Sequence, residues 1–312
     1  MSCRPTHLGG GLHAHPRVSA CVVVALLSVL FLPSVLPLDP YAIDLNRVLQ
    51  PPGPHHWAGT DENGRDVLAR LLVGGRGTLG IAGAATVLAL LLGTVIGGVA
   101  GYRGGILDAV LMRGVDLALA FPSLFAILLV AAVLPPGPLL LIGLIGATGW
   151  MPTARLVRAR VQGLLGAGYV EAARALGTPA ICIITRHLVP NVRDLVIVSG
   201  LVQLSRAILA EATISFLGFG VQPPTPTWGN LLIGAQNYVY TAPWLALAPG
   251  VTITGALLAV SLLGVNPGAS PARNHLTNAV RQHPHAAVIG DEGYVPAEKT
   301  VNPSSPRHIK TA

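Results

Sequence analysis

Arg206 and Glu211 stand inside one apolar run of this 312-residue chain, and a charge within a run long enough to cross a bilayer is a functional-site hypothesis by default. Five positions apart, they lie about 140° apart around a helix and do not pair along one face. Each needs a partner on another helix or water in a passage. Glu211, in the outer part of the run, is a candidate to line a passage and meet the amino end of a solute; a structural hydrogen bond between helices explains it at least as well.

A second group lies in a basic stretch that reads Tyr169-Val170-Glu171-Ala172-Ala173-Arg174-Ala175-Leu176-Gly177-Thr178-Pro179 and later Arg186-His187-Leu188-Val189-Pro190-Asn191. Its alanines favour helix. Gly177 suits the left-handed position just past a helix end, Thr178 can cap the next helix, and Pro179 fits that helix's first turn. The pattern predicts a helix, a sharp turn and a second helix, which serve either to dock a partner or only to hold arginines against anionic lipid.

Other chemistries are poorly served. Lys299 and Lys310 are the only lysines, and neither has the Gly-x-x-x-x-Gly-Lys-Ser/Thr context of a phosphate-binding loop. The ten histidines form no His-Glu-x-x-His set, and Cys3, Cys21 and Cys182 are too scattered for a disulfide framework. No Ser/His/Asp or Cys/His arrangement sits at a membrane face, which argues against a membrane hydrolase. The net charge of +7 is spread over loops, and aromatics make up 5% of the chain, a poor match for nucleic-acid binding.

The elements that must position these residues are membrane helices. Hydrophobic residues make up 52% of the chain and charged ones 11%, against about a quarter charged in soluble domains. Apolar runs fall at about 18–36, 78–101, 117–134, 138–151, 194–217 and 244–264, most of them near the twenty residues that cross about 30 Å of hydrocarbon. The first run is longer than a signal-peptide core and lacks a small-residue cleavage site, so it reads as an uncleaved helix. The fold class is all-α, a polytopic bundle of six membrane helices. Residues 1–17 form an N-terminal segment, 18–264 the membrane domain, and 265–312 a polar tail of little apolar periodicity, expected to be disordered.

The loop after the fourth run carries Arg155, Arg158, Arg160, Arg174, Arg186 and Arg193. Basic loops stay inside, so this loop and both termini are expected in the cytoplasm. The external 38–77 segment then holds Arg47, Arg65, Arg70 and Arg76 against that rule, among acidic residues. Asp116, after Arg113, reads as an anchor at a helix start. Gly93, Gly97 and Gly101 share one helix face, where small residues let two backbones approach.

The segment from Glu171 to Gly177 resembles the Glu-Ala-Ala loop of permease subunits of binding-protein-dependent ATP-binding-cassette importers. Gly59-Thr60-Asp61-Glu62-Asn63-Gly64-Arg65-Asp66 resembles a segment of the dipeptide, oligopeptide and nickel permeases among them, as does, more specifically, Ser215-Phe216-Leu217-Gly218-Phe219-Gly220-Val221-Gln222-Pro223-Pro224-Thr225-Pro226-Thr227-Trp228-Gly229. The resemblance covers about 55–264 and implies a type I importer (MetI-like) permease core over about 75–264. It implies a coupling element of Glu171, Ala172, Ala173, Gly177, Pro190 and Asn191 that docks on an ATPase subunit. It further implies a second homologous permease subunit, two ATPase subunits that use the ATP, an external solute-binding protein, a lipid surround, and no cofactor on this chain. Peptides are the expected cargo. Nickel or another small solute, or a channel or membrane enzyme without an ATPase, are the alternatives.

The physical reading of 218–229 is a stiff external turn, either part of an outer gate or a plain connector. The resemblance stops after Gly264, where the family continues with an acidic segment and this chain has Val265-Asn266-Pro267-Gly268. A frame change or a divergent extension accounts for that tail, and sequencing the gene across the junction tests it.

Overall fold

The computed structural model describes residues 39–264, with Val29 alone before them. The expected first span at 18–36 and the tail at 265–312 lie outside the described residues. Seven helices organise the rest: α1 Val67–Arg103, α2 Gly105–Ala120, α3 Ser123–Ala131, α4 Pro138–Leu165, α5 Gly168–Ala175, α6 Ala180–Phe216 and α7 Trp244–Gly264. Among the described residues, α1, α4, α6 and α7 are long and apolar enough to cross a membrane. Helices α2 and α3, bent by 77° at Phe121-Pro122, make a fifth crossing if counted as one span.

Helix α1 is 37 residues long, about 55 Å at 1.5 Å per residue, so it extends beyond the hydrocarbon. It starts at Asp66, whose Oδ1 accepts the Ala69 N–H at 2.9 Å, and ends at Gly104, φ 63°. Its main partner is α4. A Cβ added at Gly93 would meet the Trp150 carbonyl at 2.7 Å, one at Gly97 the Ala154 backbone, and one at Gly101 the Arg158 carbonyl at 2.8 Å. The glycine face read from the sequence thus meets residues spaced by four along α4, two helices in backbone contact.

That contact explains a correction. The fourth run was expected to end at 151, with a loop from Pro152; instead α4 continues through Pro152 to Leu165. A proline inside a helix forfeits a hydrogen bond, but close packing on α1 holds the turns either side of it. The extension is also tethered by charge. Arg158 binds Asp108 of α2 through two hydrogen bonds, Nε to Oδ1 at 2.5 Å and Nη2 to Oδ2 at 2.6 Å, and Arg155 pairs with Asp116. Asp116 therefore lies well inside α2 and anchors a neighbouring helix, while Asp108 occupies the first turn of α2. Helix α6 likewise begins at Ala180, earlier than the expected 194, and passes through a π turn at Ile184–Leu188 before continuing. Much of the expected basic loop is helical.

The main core joins Ile81 and Ala85 of α1, Leu141 and Ile145 of α4, Ile208 and Ala212 of α6, and Ile253 and Val260 of α7. A second cluster joins Val157 and Val161 of α4, Val170 of α5, and Ile183, Leu188 and Val192 of α6. Large apolar side chains also point outward, among them Ile106, Val133 and Leu139, each more than three-quarters exposed. Water would penalise such a surface, whereas lipid or a neighbouring subunit would cover it.

The 39–66 segment folds around Asp61, which is 3% exposed. Its Oδ1 accepts the Asn63 and Arg65 N–H groups, both at 2.9 Å, and its Oδ2 accepts Arg65 Nε at 2.8 Å and an Arg70 Nη1 bond. Arg47 pairs with Asp44 at 3.2 Å. Three of the four arginines that conflicted with charge bias are thus held by carboxylates within their own segment.

Candidate functional site

Helix α5 buries one side chain. Val170 is fully buried in the second core cluster, whereas Glu171, Ala172, Arg174, Ala175 and Gly177 face outward. The helix ends in a Schellman turn: the Gly177 N–H donates to the Arg174 carbonyl at 2.9 Å and the Thr178 N–H to the Ala173 carbonyl at 3.1 Å. Gly177 has φ 75°, the conformation expected from the sequence. Thr178 does not cap the next helix; it is held in this turn, and Pro179 is the N-cap of α6.

Contacts that sequence spacing did not indicate lock this element to the bundle. The Tyr169 ring packs on His187 of the π turn at 5.8 Å between centroids. The Arg174 guanidinium lies 5.7 Å from the Tyr102 ring centroid at the end of α1, within cation–π range. The exposed Asn191 donates from Nδ2 to the His187 carbonyl at 2.7 Å, and its own carbonyl receives Arg160 Nε at 3.5 Å. Pro190, also exposed, occupies the first turn of the helical stretch after the π turn. Glu171, Ala172, Ala173 and Gly177 therefore form one outward element, with Pro190 and Asn191 beside it on α6. Its surface carries Leu176 at 86% exposure and Ile181 at 65%, an apolar edge around small residues and one carboxylate.

The two charges inside α6 part company. Glu211 is fully buried. Its Oε1 accepts Ser215 Oγ at 2.8 Å, the Thr78 and Thr227 hydroxyls lie near it, and among the described residues Oε2 has no hydrogen-bond partner. The Ser215 contact is on the same helix at i,i+4 spacing, where the sequence reading required another helix or water; the nearby threonines, on α1 and a distant loop, do come from other elements. Arg206 instead lines a cavity of about 810 Å³ bounded by the α2–α3 bend and the middles of α4 and α6. It makes no hydrogen bond or ion pair among the described residues.

The 218–229 stretch is more than a plain surface turn, because its end folds inward over Glu211. Trp228, 1% exposed, donates from Nε1 to the Leu71 carbonyl at 3.0 Å and from its N–H to Thr78 Oγ1 at 3.1 Å. Asn230 Nδ2 donates to the Val221 carbonyl at 3.0 Å and the Thr225 carbonyl at 2.8 Å, and its Oδ1 accepts the Thr227 N–H at 2.9 Å. A Cβ at Gly229 would strike the Ala212 backbone, so glycine is what lets this turn seat on α6. Among the described residues, no group of three or more His, Cys, Asp or Glu side chains gathers to hold a metal.

Comparison with known proteins bears on both regions. Residues 93–265 match the family described as binding-protein-dependent transport system inner membrane component, a span that contains α5 and all of α6. A Brucella suis protein with a provisional peptide permease name is 37% identical over 77% of this chain and 80% of its own length. The oligopeptide transport system permease protein OppC of Mycobacterium tuberculosis (strain H37Rv) is 34% identical over 84% of this chain and 91% of its own length. OppC of Bacillus subtilis is 33% identical over 84% of each.

Proposed function

The chain belongs to the binding-protein-dependent transport system inner membrane components, a non-catalytic, multi-pass permease component of such a system, and from that premise we propose that it moves short peptides inward in an ATP-driven importer. Peptide cargo is carried over from the names of the relatives. The observation that carries the coupling mechanism is α5 with its Gly177 turn: an exposed helix, fixed by Val170, Tyr169 and Arg174, that leads directly into the 37-residue α6 on which Arg206 sits.

In this reading Glu171, Ala172, Ala173 and Gly177, with Pro190 and Asn191 beside them, present the docking surface for an ATPase subunit. The alanines permit close approach, Leu176 supplies an apolar contact, and Glu171 offers a carboxylate for a charge-assisted bond to a basic group. ATP, bound and hydrolysed on two partner ATPase subunits, moves them relative to one another. Because α5 is packed against α1, α4 and α6 at one end, its displacement tilts those helices and opens the Arg206 cavity alternately to either side. A second homologous permease completes the passage, an external solute-binding protein delivers cargo, and lipid covers the remaining apolar face. The chain itself holds no cofactor.

The α5 end faces the cytoplasm, with both termini on that side. The arginines around it support this orientation, as does the pairing of three of the four arginines at the opposite end, Arg47, Arg65 and Arg70, with Asp44 and Asp61. The test is co-purification of the tagged chain from its native membrane, as wild type and as Glu171→Arg. Recovery of a second permease and ATPase subunits with wild type, and loss of the ATPases alone from the variant, is the expected result. A wild type that purifies by itself, or a variant that keeps its ATPases, overturns the coupling assignment.

A further inference from the structure

Arg206 lies about 15 Å along the helix axis from the end of α6 at Phe216, near the middle of a membrane-crossing helix. A guanidinium at such depth is costly unless a partner or water receives it. It has neither ion pair nor hydrogen bond among the described residues, and it faces the cavity of about 810 Å³. The cavity contains a second unengaged polar group: Gln203, one turn earlier on the same face, whose amide lies against Gly149 and makes no hydrogen bond among the described residues. Of the other polar side chains on its wall, Ser123 makes no hydrogen bond among the described residues, and the two threonines bond to their own helices. Thr148 donates to the Leu144 carbonyl at 2.9 Å and Thr213 to the Leu209 carbonyl at 2.7 Å.

Among the described residues, no carboxylate lines this space. Glu211 is turned away into its own buried network with Ser215, and Asp116 of α2 is paired with Arg155. What remains is a half-open, mostly apolar cavity with an exposed, uncompensated cation and an amide a helical turn apart on α6, and the Ser123 hydroxyl on the facing wall. The volume is that of a small-ligand site, and the polar pair offers N–H donors for two oxygens of one planar anion, the geometry in which arginine outperforms a point charge.

We propose that Arg206 and Gln203 form a carboxylate subsite that receives the C-terminal carboxylate of a peptide in transit. The inference rests on the peptide-import reading above and adds the end of the cargo that is recognised and the residues that recognise it. It gives the two charges inside α6 a division of labour: Glu211 fastens helices together, and Arg206 meets solute. An arginine held for an acidic residue of the second permease would also avoid lipid, but that partner would have to enter the chamber, and the result below separates the two.

The experiment uses the assembled importer in nanodiscs, without nucleotide or binding protein, and measures retention of radiolabelled trialanine and of its C-terminal amide by equilibrium dialysis. Wild type should hold the free acid at least about tenfold more tightly than the amide, the scale of one charge-assisted hydrogen bond. Arg206→Ala should bring that ratio close to one, Arg206→Lys should keep part of it, and both should retain the second permease and the ATPases. A wild-type ratio of one, a ratio unchanged by Arg206→Ala, or a complex that falls apart in Arg206→Ala overturns the subsite; the last result instead identifies an intersubunit ion pair. Uptake with the binding protein present is run in parallel. Failure of wild type to import any peptide rejects the cargo reading itself, whereas import without discrimination at Arg206 rejects only the subsite.

Discussion

Replacing Gly177 separates backbone conformation from contact at the coupling element. The residue sits at φ 75°, and an added Cβ would have open space around it, so Gly177→Ala introduces no clash within the chain. Its cost is the left-handed conformation alone, about 1–2 kcal/mol for an L-residue. Asparagine, which tolerates that region better, should cost less despite its greater bulk. Proline fixes φ near −65° and deletes the N–H that donates to the Arg174 carbonyl at 2.9 Å, so the turn cannot form. If ATPase docking requires the turn, 1–2 kcal/mol of turn destabilisation weakens it by up to about 5- to 30-fold, since 1.4 kcal/mol is tenfold. Titration of purified ATPase subunits onto the detergent-solubilised permease pair should therefore rank affinity as wild type, then Asn, then Ala, with Pro not binding. Thermal unfolding of the permease should change little except in Gly177→Pro. Asparagine binding more weakly than alanine would refute the conformational argument and place a steric contact at this position instead. Equal affinity across all four chains would remove the turn from coupling altogether.

Three further outcomes test the packing beneath the site. Gly97→Leu places a side chain against the Ala154 backbone and should abolish recovery of folded protein, whereas Gly98→Leu, whose Cβ meets nothing within 4 Å, should purify normally; fluorescence-detected size exclusion distinguishes them. Trp228→Phe removes the hydrogen bond to Leu71 and should cost about 1 kcal/mol, while Asn230→Ala removes bonds to Val221, Thr225 and Thr227 and should cost several times that; the larger drop in Tm should belong to Asn230. Glu211→Gln keeps an acceptor for Ser215 and nearly the same volume, so assembly and peptide uptake should stay within about twofold of wild type. An intact Glu211→Gln complex with no uptake would give Glu211 a part in transport that its burial does not supply.

The features legible in the sequence were those set by local chemistry. Gly177 declared its left-handed turn because only the chain's own φ is at stake there, and Gly93, Gly97 and Gly101 declared a close helix contact by their spacing alone. The limits of α7 matched the apolar run at 244–264 because its ends coincide with the ends of hydrophobicity. Where a helix outlasts its apolar run, hydropathy stops short. Helix α4 continues for fourteen residues past Met151 and α6 starts fourteen before Asp194, because their polar turns are stabilised by partners: Asp108 and Asp116 for the arginines of α4, and the second core cluster for the first turns of α6.

The same distinction governs the site. Arg206 and Glu211 read alike in sequence, each a charge in an apolar run, and their separation by about 140° implied different surroundings without saying whose. The answer lies in residues far along the chain. Thr78 and the inward-folded 227–230 turn reach Glu211 from α1 and from the connection to α7, so that carboxylate is enclosed. The 77° bend between α2 and α3 leaves α4 and α6 uncovered opposite Arg206, so that guanidinium is not. A helix break at Phe121-Pro122 thereby opens the cavity, and the start of α6 is joined to it through a helix whose only irregularity among the described residues is the π turn at Ile184–Leu188. The Gly177 turn leads into the first turn of α6 and Arg206 lies farther along the same helix, so if ATPase subunits dock at that turn as proposed, their motion reaches the cavity through α6.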